Sequence, residues 1–187
     1  MSEAAQDHLL INRIAAGDQA AIRTLFARYH LRLFRFILRF VKNEAVAEEL
    51  ANEVFLDIWR HAAKYEGRSS ASTWLLAIAR NRSLSYLRKR REDSMDDKTA
   101  ERMVDGADTP EVTAQKTNKG ALMRQCMQQL SPEHGEIIDL VYYHEKSINE
   151  VSEIVGIPVG TVKTRMFHAR RKLSALLKEA GVDRGWP

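Results

Sequence analysis

Ser147-Ile148-Asn149-Glu150-Val151-Ser152-Glu153-Ile154-Val155-Gly156-Ile157-Pro158-Val159-Gly160-Thr161-Val162-Lys163-Thr164-Arg165-Met166-Phe167-His168-Ala169-Arg170-Arg171-Lys172-Leu173 is the stretch on which the fold turns. Ser147 with Glu150 three residues on fits a capping box. In that motif each side chain satisfies the other residue's backbone amide, and a helix begins. Gly156, within the turn Val155-Gly156-Ile157-Pro158, permits the left-handed conformation that a tight bend needs. A second helix starts near Pro158 to Thr161 and keeps Val162, Met166, Ala169, Leu173 and Leu176 on one stripe. A helix, a tight turn and a helix make helix-turn-helix geometry.

The second helix carries different chemistry on its outer side. Thr161, Thr164, Arg165, His168, Arg171 and Lys172 point away from the apolar stripe. From Thr161 to Lys178 there are six Lys/Arg and no acid. Arginine can hold guanine O6 and N7 with two hydrogen bonds, and threonine can meet a phosphate or a thymine methyl. Arg171 and Lys172, further along, suit phosphates. An ordinary solvated basic helix is the plainer reading, but exposed helices normally mix signs.

Working outward from this motif, Leu122, Cys126 and Leu130 give one helix. Ser131-Pro132 supplies a cap with proline at the first helical position, and Ile137, Ile138 and Val141 give the next. Residues 93–118 have no sustained periodicity and hold Gly106, Pro110 and seven acids against three bases; they are expected to form a flexible linker. Before it lie four expected helices. The first is short, about Asp7 to Ala16, ending at Gly17-Asp18. The second carries Ile22, Leu25, Phe26, Tyr29, Leu33, Phe36, Ile37 and Phe40 at spacings of three and four, with Asn43 as its stop. The third carries Val46, Leu50, Val54, Ile58 and Ala62. The fourth, Thr73 to about Arg91 with Ser70 or Ser72 as cap, carries Leu75, Ala79 and Tyr86. No strand pattern and no repeat is present. The expected fold is all-α, two small helical bundles on a tether: residues 1–92, a linker at 93–118, and residues 119–187.

Composition bounds the chemistry. The chain has 187 residues, net charge +4 and one cysteine, so no internal disulfide and no multi-Cys zinc site is expected. Cys126 reads as buried packing. The N-terminus lacks a signal-peptide pattern, and no apolar window is long enough to span a membrane. A soluble, cytoplasmic chain without membrane insertion is expected. The six histidines are scattered, with no zinc-protease spacing, phosphate loop or nucleophile motif. No catalytic residue, metal or cofactor is expected, and the chain is not read as an enzyme.

The first bundle has two charged features. The third helix places Glu49, Glu53 and Asp57 at four-residue steps, where like charges repel; a basic partner would relieve this, and a solvated acidic face is the alternative. The fourth helix ends in Leu87-Arg88-Lys89-Arg90-Arg91, with Arg80, Asn81, Arg88 and Arg91 on one side. Between these helices, Lys64-Tyr65-Glu66-Gly67-Arg68-Ser69-Ser70 offers an aromatic, a glycine and hydroxyls. Basic tracking of a backbone beside aromatic stacking is how single-stranded DNA is held. Trp74, in the first turn after the loop, reads as core packing.

Taken together, these segments resemble the extracytoplasmic-function sigma factors of bacterial RNA polymerase, in the sigma-70 family. The resemblance covers residues 23–92 and 120–177, in the family's order. Ala47-Glu48-Glu49-Leu50-Ala51-Asn52-Glu53-Val54-Phe55 looks like the region that docks on core polymerase. Gly67-Arg68-Ser69-Ser70, Ser72-Thr73-Trp74-Leu75 and Ile78-Ala79-Arg80-Asn81 look like the regions that melt and read the −10 element. Gly156 through Arg165 looks like the reader of the −35 element. The resemblance implies that Glu48, Glu49, Asn52, Glu53, Leu56 and Asp57 bind core polymerase. It implies −10 DNA contacts for Lys64, Tyr65, Gly67, Arg68, Ser69, Ser70, Arg80, Asn81, Arg88 and Arg91, the loop capturing a flipped base. It implies −35 contacts for Thr161, Lys163, Thr164, Arg165, His168, Arg171 and Lys172. An anti-sigma factor that covers both domains is the further implied partner. His168, with Phe167 beside it, departs from the arginine often found in the family, and Ala71-Ser72 is smaller than the usual aromatic-basic pair. A conventional helix-turn-helix repressor is the competing class, but it leaves the basic helix of the first bundle without a purpose.

Overall fold

The structure, a computed structural model, describes residues 3–96 and 117–181. Most of the expected linker, residues 97–116, lies outside the described residues. The described residues are helical apart from turns and short connections and contain no strand. The chain divides into two compact units, residues 1–107 and 108–187.

The first unit contains α1 (Glu3–Ala15), α2 (Gln19–Val41), α3 (Glu44–His61), a 3₁₀ turn (Ala62–Lys64) and α4 (Ala71–Asp96). Gly17, at φ 86°, turns the chain out of α1. Asp18 then caps α2, its carboxylate accepting from the amides of Ala20 at 2.8 Å and Ala21 at 3.2 Å. Arg13 donates to the same carboxylate at 2.9 Å and, foremost among several causes, holds Asp18 below the usual carboxylate pKa. Asn43 does not stop α2. Lys42 closes that helix in the left-handed conformation, and Asn43 caps α3 by accepting from the Val46 amide at 3.0 Å. A short polar side chain in extended backbone serves a helix start, where amides lack partners, better than a helix end.

The core of this unit joins Ile11 and Ile14 of α1 to Leu25, Leu33, Phe36 and Ile37 of α2. Ala47, Ala51, Val54 and Ile58 of α3 and Leu75, Leu76 and Ala79 of α4 complete it. Burying one leucine or isoleucine is worth about 1.5–3 kcal/mol. The alanines on α3 and α4 keep those helices close. Phe26 is 37% exposed, and Val46 and Tyr86 are only half-buried, so the expected stripes narrow at their ends. Ser70 caps α4, accepting from the Thr73 amide at 3.3 Å. That helix runs to Asp96, past the expected boundary at residue 92.

The second unit contains α5 (Thr117–Gln128), α6 (Pro132–Tyr142), α7 (Ile148–Val155) and α8 (Val159–Glu179). Ser131 caps α6 ahead of Pro132. The capping box of Ser147 and Glu150 is complete: the Ser147 amide donates to Glu150 at 3.0 Å, and the Glu150 amide donates to Ser147 Oγ at 3.3 Å. Gly156, at φ 72°, closes α7. Ser152 Oγ donates to the Ile157 carbonyl at 2.5 Å and pins the turn. Val162, Met166, Ala169, Leu173 and Leu176 are buried as one stripe, together with Leu177. Cys126 is buried.

Candidate functional site

The loop between α3 and α4 is built around one tyrosine. Tyr65 lies between two rings, His8 at 5.1 Å and Trp74 at 5.0 Å between centroids. Its hydroxyl donates to the Ser69 carbonyl at 2.7 Å, folding residues 65–69 back on themselves. Burial, then the charge of Asp7, pushes the phenol above its ordinary pKa of 10.0. Gly67 sits at φ 69°, where a side chain is strained. Lys64, Tyr65, Glu66, Gly67, Arg68, Ser69 and Trp74 line an open cavity of about 160 Å³. That is well below the roughly 300–1,000 Å³ of sites that enclose drug-sized ligands. It is open to solvent, and Arg68 on its lining is exposed and paired with Glu66 at 2.6 Å. Trp74 is half-buried and lines this cavity, and Tyr65 acts as a strut.

Along α4 the basic residues divide. Asn81, Arg88 and Arg91 are exposed, and Arg80 is half-buried. Arg82, which sequence reasoning passed over, turns toward α3. It donates to both oxygens of Asp57, one at 2.6 Å, and reaches Glu53 at 3.4 Å. The Asp57 carboxylate raises the Arg82 pKa. The repulsion expected between Glu53 and Asp57 is therefore relieved inside the unit, while Glu49 stays exposed. Glu48, Glu49 and Asn52 remain exposed, and Leu56 is 54% exposed among them. Glu48 also lies 3.0 Å from His30 Nε2. Trp59, 37% exposed and three residues beyond Leu56, extends this face and was missed; its i, i+3 spacing was the available signal.

On α8, Thr161, Lys163, Thr164, His168, Arg171 and Lys172 are all exposed. At 100° per residue, every one but Lys163 falls with Arg165 within an arc of roughly 120°, and Lys163 stands roughly 80° outside it. Thr164 donates its hydroxyl proton to the Gly160 carbonyl at 3.0 Å. Arg165 is half-buried and lies 3.4 Å from Glu133 of α6. Arg170 is held over the Tyr142 ring at 5.5 Å. Phe167, 62% exposed, meets His168 edge-on at 5.4 Å and adds an apolar surface to the same helix. Among the described residues no cluster of His, Cys, Asp or Glu could hold a metal ion, and no helix is long and apolar enough to cross a membrane.

Both units match known proteins. Residues 25–92 match the sigma-70 region 2 family, and residues 121–173 match sigma-70, region 4. The RNA polymerase sigma-H factor of Pseudomonas aeruginosa is 30% identical, the alignment covering 94% of this chain and 97% of that one. The ECF RNA polymerase sigma factor SigL of Mycobacterium tuberculosis is 31% identical, covering 93% and 98%. The RNA polymerase sigma factor CarQ of Myxococcus xanthus is 33% identical, covering 92% and 98%. Among solved structures, the sigma factor RpoE in complex with the anti-sigma factor NepR from Bartonella quintana superposes with a TM-score of 0.64. It is 27% identical, over 87% of this chain and 98% of that one. CnrH, in complex with the cytosolic domain of CnrY, shares the fold at a TM-score of 0.68 and 23% identity, over 92% and 97%. With both signature regions present in order and relatives matched along nearly their whole length, the chain belongs to the sigma-70 family of RNA polymerase sigma factors, in its extracytoplasmic-function group.

Proposed function

We propose that this sigma factor divides its work between its two units. The first unit, residues 1–92 in functional terms, docks on core RNA polymerase through the face of Glu48, Glu49, Asn52, Glu53 and Leu56, with Asp57 at its edge held by Arg82. It captures a non-template −10 base at the Lys64–Ser70 loop. Arg80, Asn81, Arg88 and Arg91 track the displaced strand. The second unit, residues 119–187, lays α8 in the major groove of the −35 element, with Arg165 reading a base and Arg171 and Lys172 holding phosphates. Residues 93–118 tether the two. The protein works in the cytoplasm, contributes no catalysis of its own, and is held inactive by an anti-sigma factor, as RpoE of Bartonella quintana is found with NepR.

The observation that supports this best is the pairing on one chain of a base-sized aromatic cavity with a separate helix-turn-helix. A repressor needs only the second. Co-purification with bacterial core polymerase, then run-off transcription on a genomic promoter pool, tests the reading. Stoichiometric association and new start sites are expected. Reversing Glu48 and Glu49, both exposed, should abolish association and leave the circular dichroism spectrum unchanged. Wild-type protein that ignores core polymerase but footprints naked duplex DNA would overturn it.

A further inference from the structure

We infer that His8 of α1 is a positioning residue for the base-capturing loop, and so part of the −10 specificity apparatus although it lies outside the matched region 2. The argument starts from a proton count. The Tyr65 hydroxyl has one proton, and it goes to the Ser69 carbonyl, which can only accept. His8 Nε2 lies 3.0 Å from the same hydroxyl. With the tyrosine proton already committed, His8 must be the donor, so its Nε2 carries a hydrogen.

One imidazole therefore fixes the tyrosine that folds the loop. It also closes the loop from behind. A Cβ at Gly67 would come within 2.9 Å of His8 Cε1 and 3.2 Å of Nδ1. Glycine at 67 thus meets two demands, a left-handed backbone and a ring pressed against it. The ring is itself held in place. Its neighbour Asp7, 2% exposed, accepts from Tyr29 and Arg28 of α2 and ties α1 to the unit. The cavity wall formed by Tyr65 and Gly67 is consequently set by a helix that lines none of the cavity.

This inference rests on the proposed role of the loop, and the test separates the two. Holoenzyme is assembled with wild-type, His8→Ala or His8→Gln protein. Its affinity is measured for a labelled single-stranded oligonucleotide carrying the non-template −10 sequence of a promoter found by run-off, and for a duplex carrying only the −35 element. Loss of one hydrogen bond and a ring contact should weaken His8→Ala on the −10 strand by about three- to tenfold. Duplex −35 binding and core association should change little. Glutamine presents an N–H where Nε2 stood and should recover most of the loss. Equal −10 affinity for wild type and His8→Ala overturns the role of His8. So does a loss shared with the −35 duplex, or one that glutamine leaves unrepaired. A wild-type holoenzyme that fails on the −10 strand overturns the loop assignment instead.

Discussion

Replacing Arg82 with alanine asks whether the acidic face of α3 can stand without an internal counter-charge. In the folded unit the guanidinium donates to both oxygens of Asp57 and reaches Glu53 at 3.4 Å. The Asp57 side chain is 13% exposed and that of Arg82 39%. Exposed ion pairs contribute about 0–1 kcal/mol, whereas stripping one partner from a fully buried pair costs about 3–5 kcal/mol. This pair lies between those limits. Its fork geometry adds strength, and solvent at Arg82 removes some. Arg82→Ala should therefore destabilise the first unit by about 1–2 kcal/mol. For a unit of about a hundred residues that lowers the thermal midpoint by about 4–15 °C.

Trp59 and Trp74 both belong to this unit, so tryptophan fluorescence in a Trp186→Phe background follows its unfolding alone. Arg82→Lys keeps the charge, loses the two parallel hydrogen bonds, and should recover less than half of the loss. A double-mutant cycle with Asp57→Asn completes the test. Contacting partners should couple by at least about 0.5 kcal/mol. Purely additive effects, or a midpoint unmoved by Arg82→Ala, would refute the reasoning.

Tyr65 should ionise above the ordinary phenol pKa when absorbance is followed against pH, and the difference between wild type and Tyr65→Phe should show one phenol fewer in the late-titrating absorbance. Because burial raises its pKa, the stability it lends is fully present below pH 10 and is lost as pH rises through the raised value. In the second unit, Ser147→Ala should cost about 1 kcal/mol by opening the capping box, measured as a shift in urea midpoint. Gly156→Ala should cost a similar amount, about 1–2 kcal/mol, from backbone strain alone, since a Cβ there meets no atom within 4 Å. Arg165→Ala should weaken binding to promoters with an intact −35 element by about 1–3 kcal/mol more than to scrambled ones. An equal loss on both in a competition assay would assign Arg165 to phosphate.

The sequence-level reading succeeded where one local rule decided the outcome. The helix-turn-helix follows from Ser147, Glu150, Gly156 and a stripe of period 3.6, all within one short segment. Asn43 was misplaced by one element because an asparagine beside a helix end suits either boundary. Only the position of Lys42, which took the left-handed conformation itself, decided it. The pairs that escaped join residues far apart in the chain: Asp7 with Tyr29, His8 with Tyr65, Asp57 with Arg82. Periodicity tells which face of a helix is apolar. It carries no information about which distant polar group arrives opposite a given acid or ring.

Those long-range pairs change how the functional residues divide. A row of acids at four-residue steps looks like one docking stripe. In the folded unit Glu49 stands in solvent and Glu48 is exposed beside His30, while Asp57 is half-buried against Arg82. A cationic partner approaching Asp57 must compete with a guanidinium already in place, and one approaching Glu49 need not. The Glu48–Glu49 end, with Leu56 and Trp59 exposed nearby on the same helix, combines accessible charge with apolar area. Binding energy should concentrate there, since a few desolvated anchors usually dominate an interface. Asp57 then serves chiefly to hold α4, and with it the arginines proposed to track the −10 strand, in register with α3. On this reasoning Leu56→Ala weakens core association with little change in the thermal midpoint, and Trp59→Ala weakens association while also losing the packing of its covered part. Asp57→Ala lowers the midpoint first, and any loss of association follows from that.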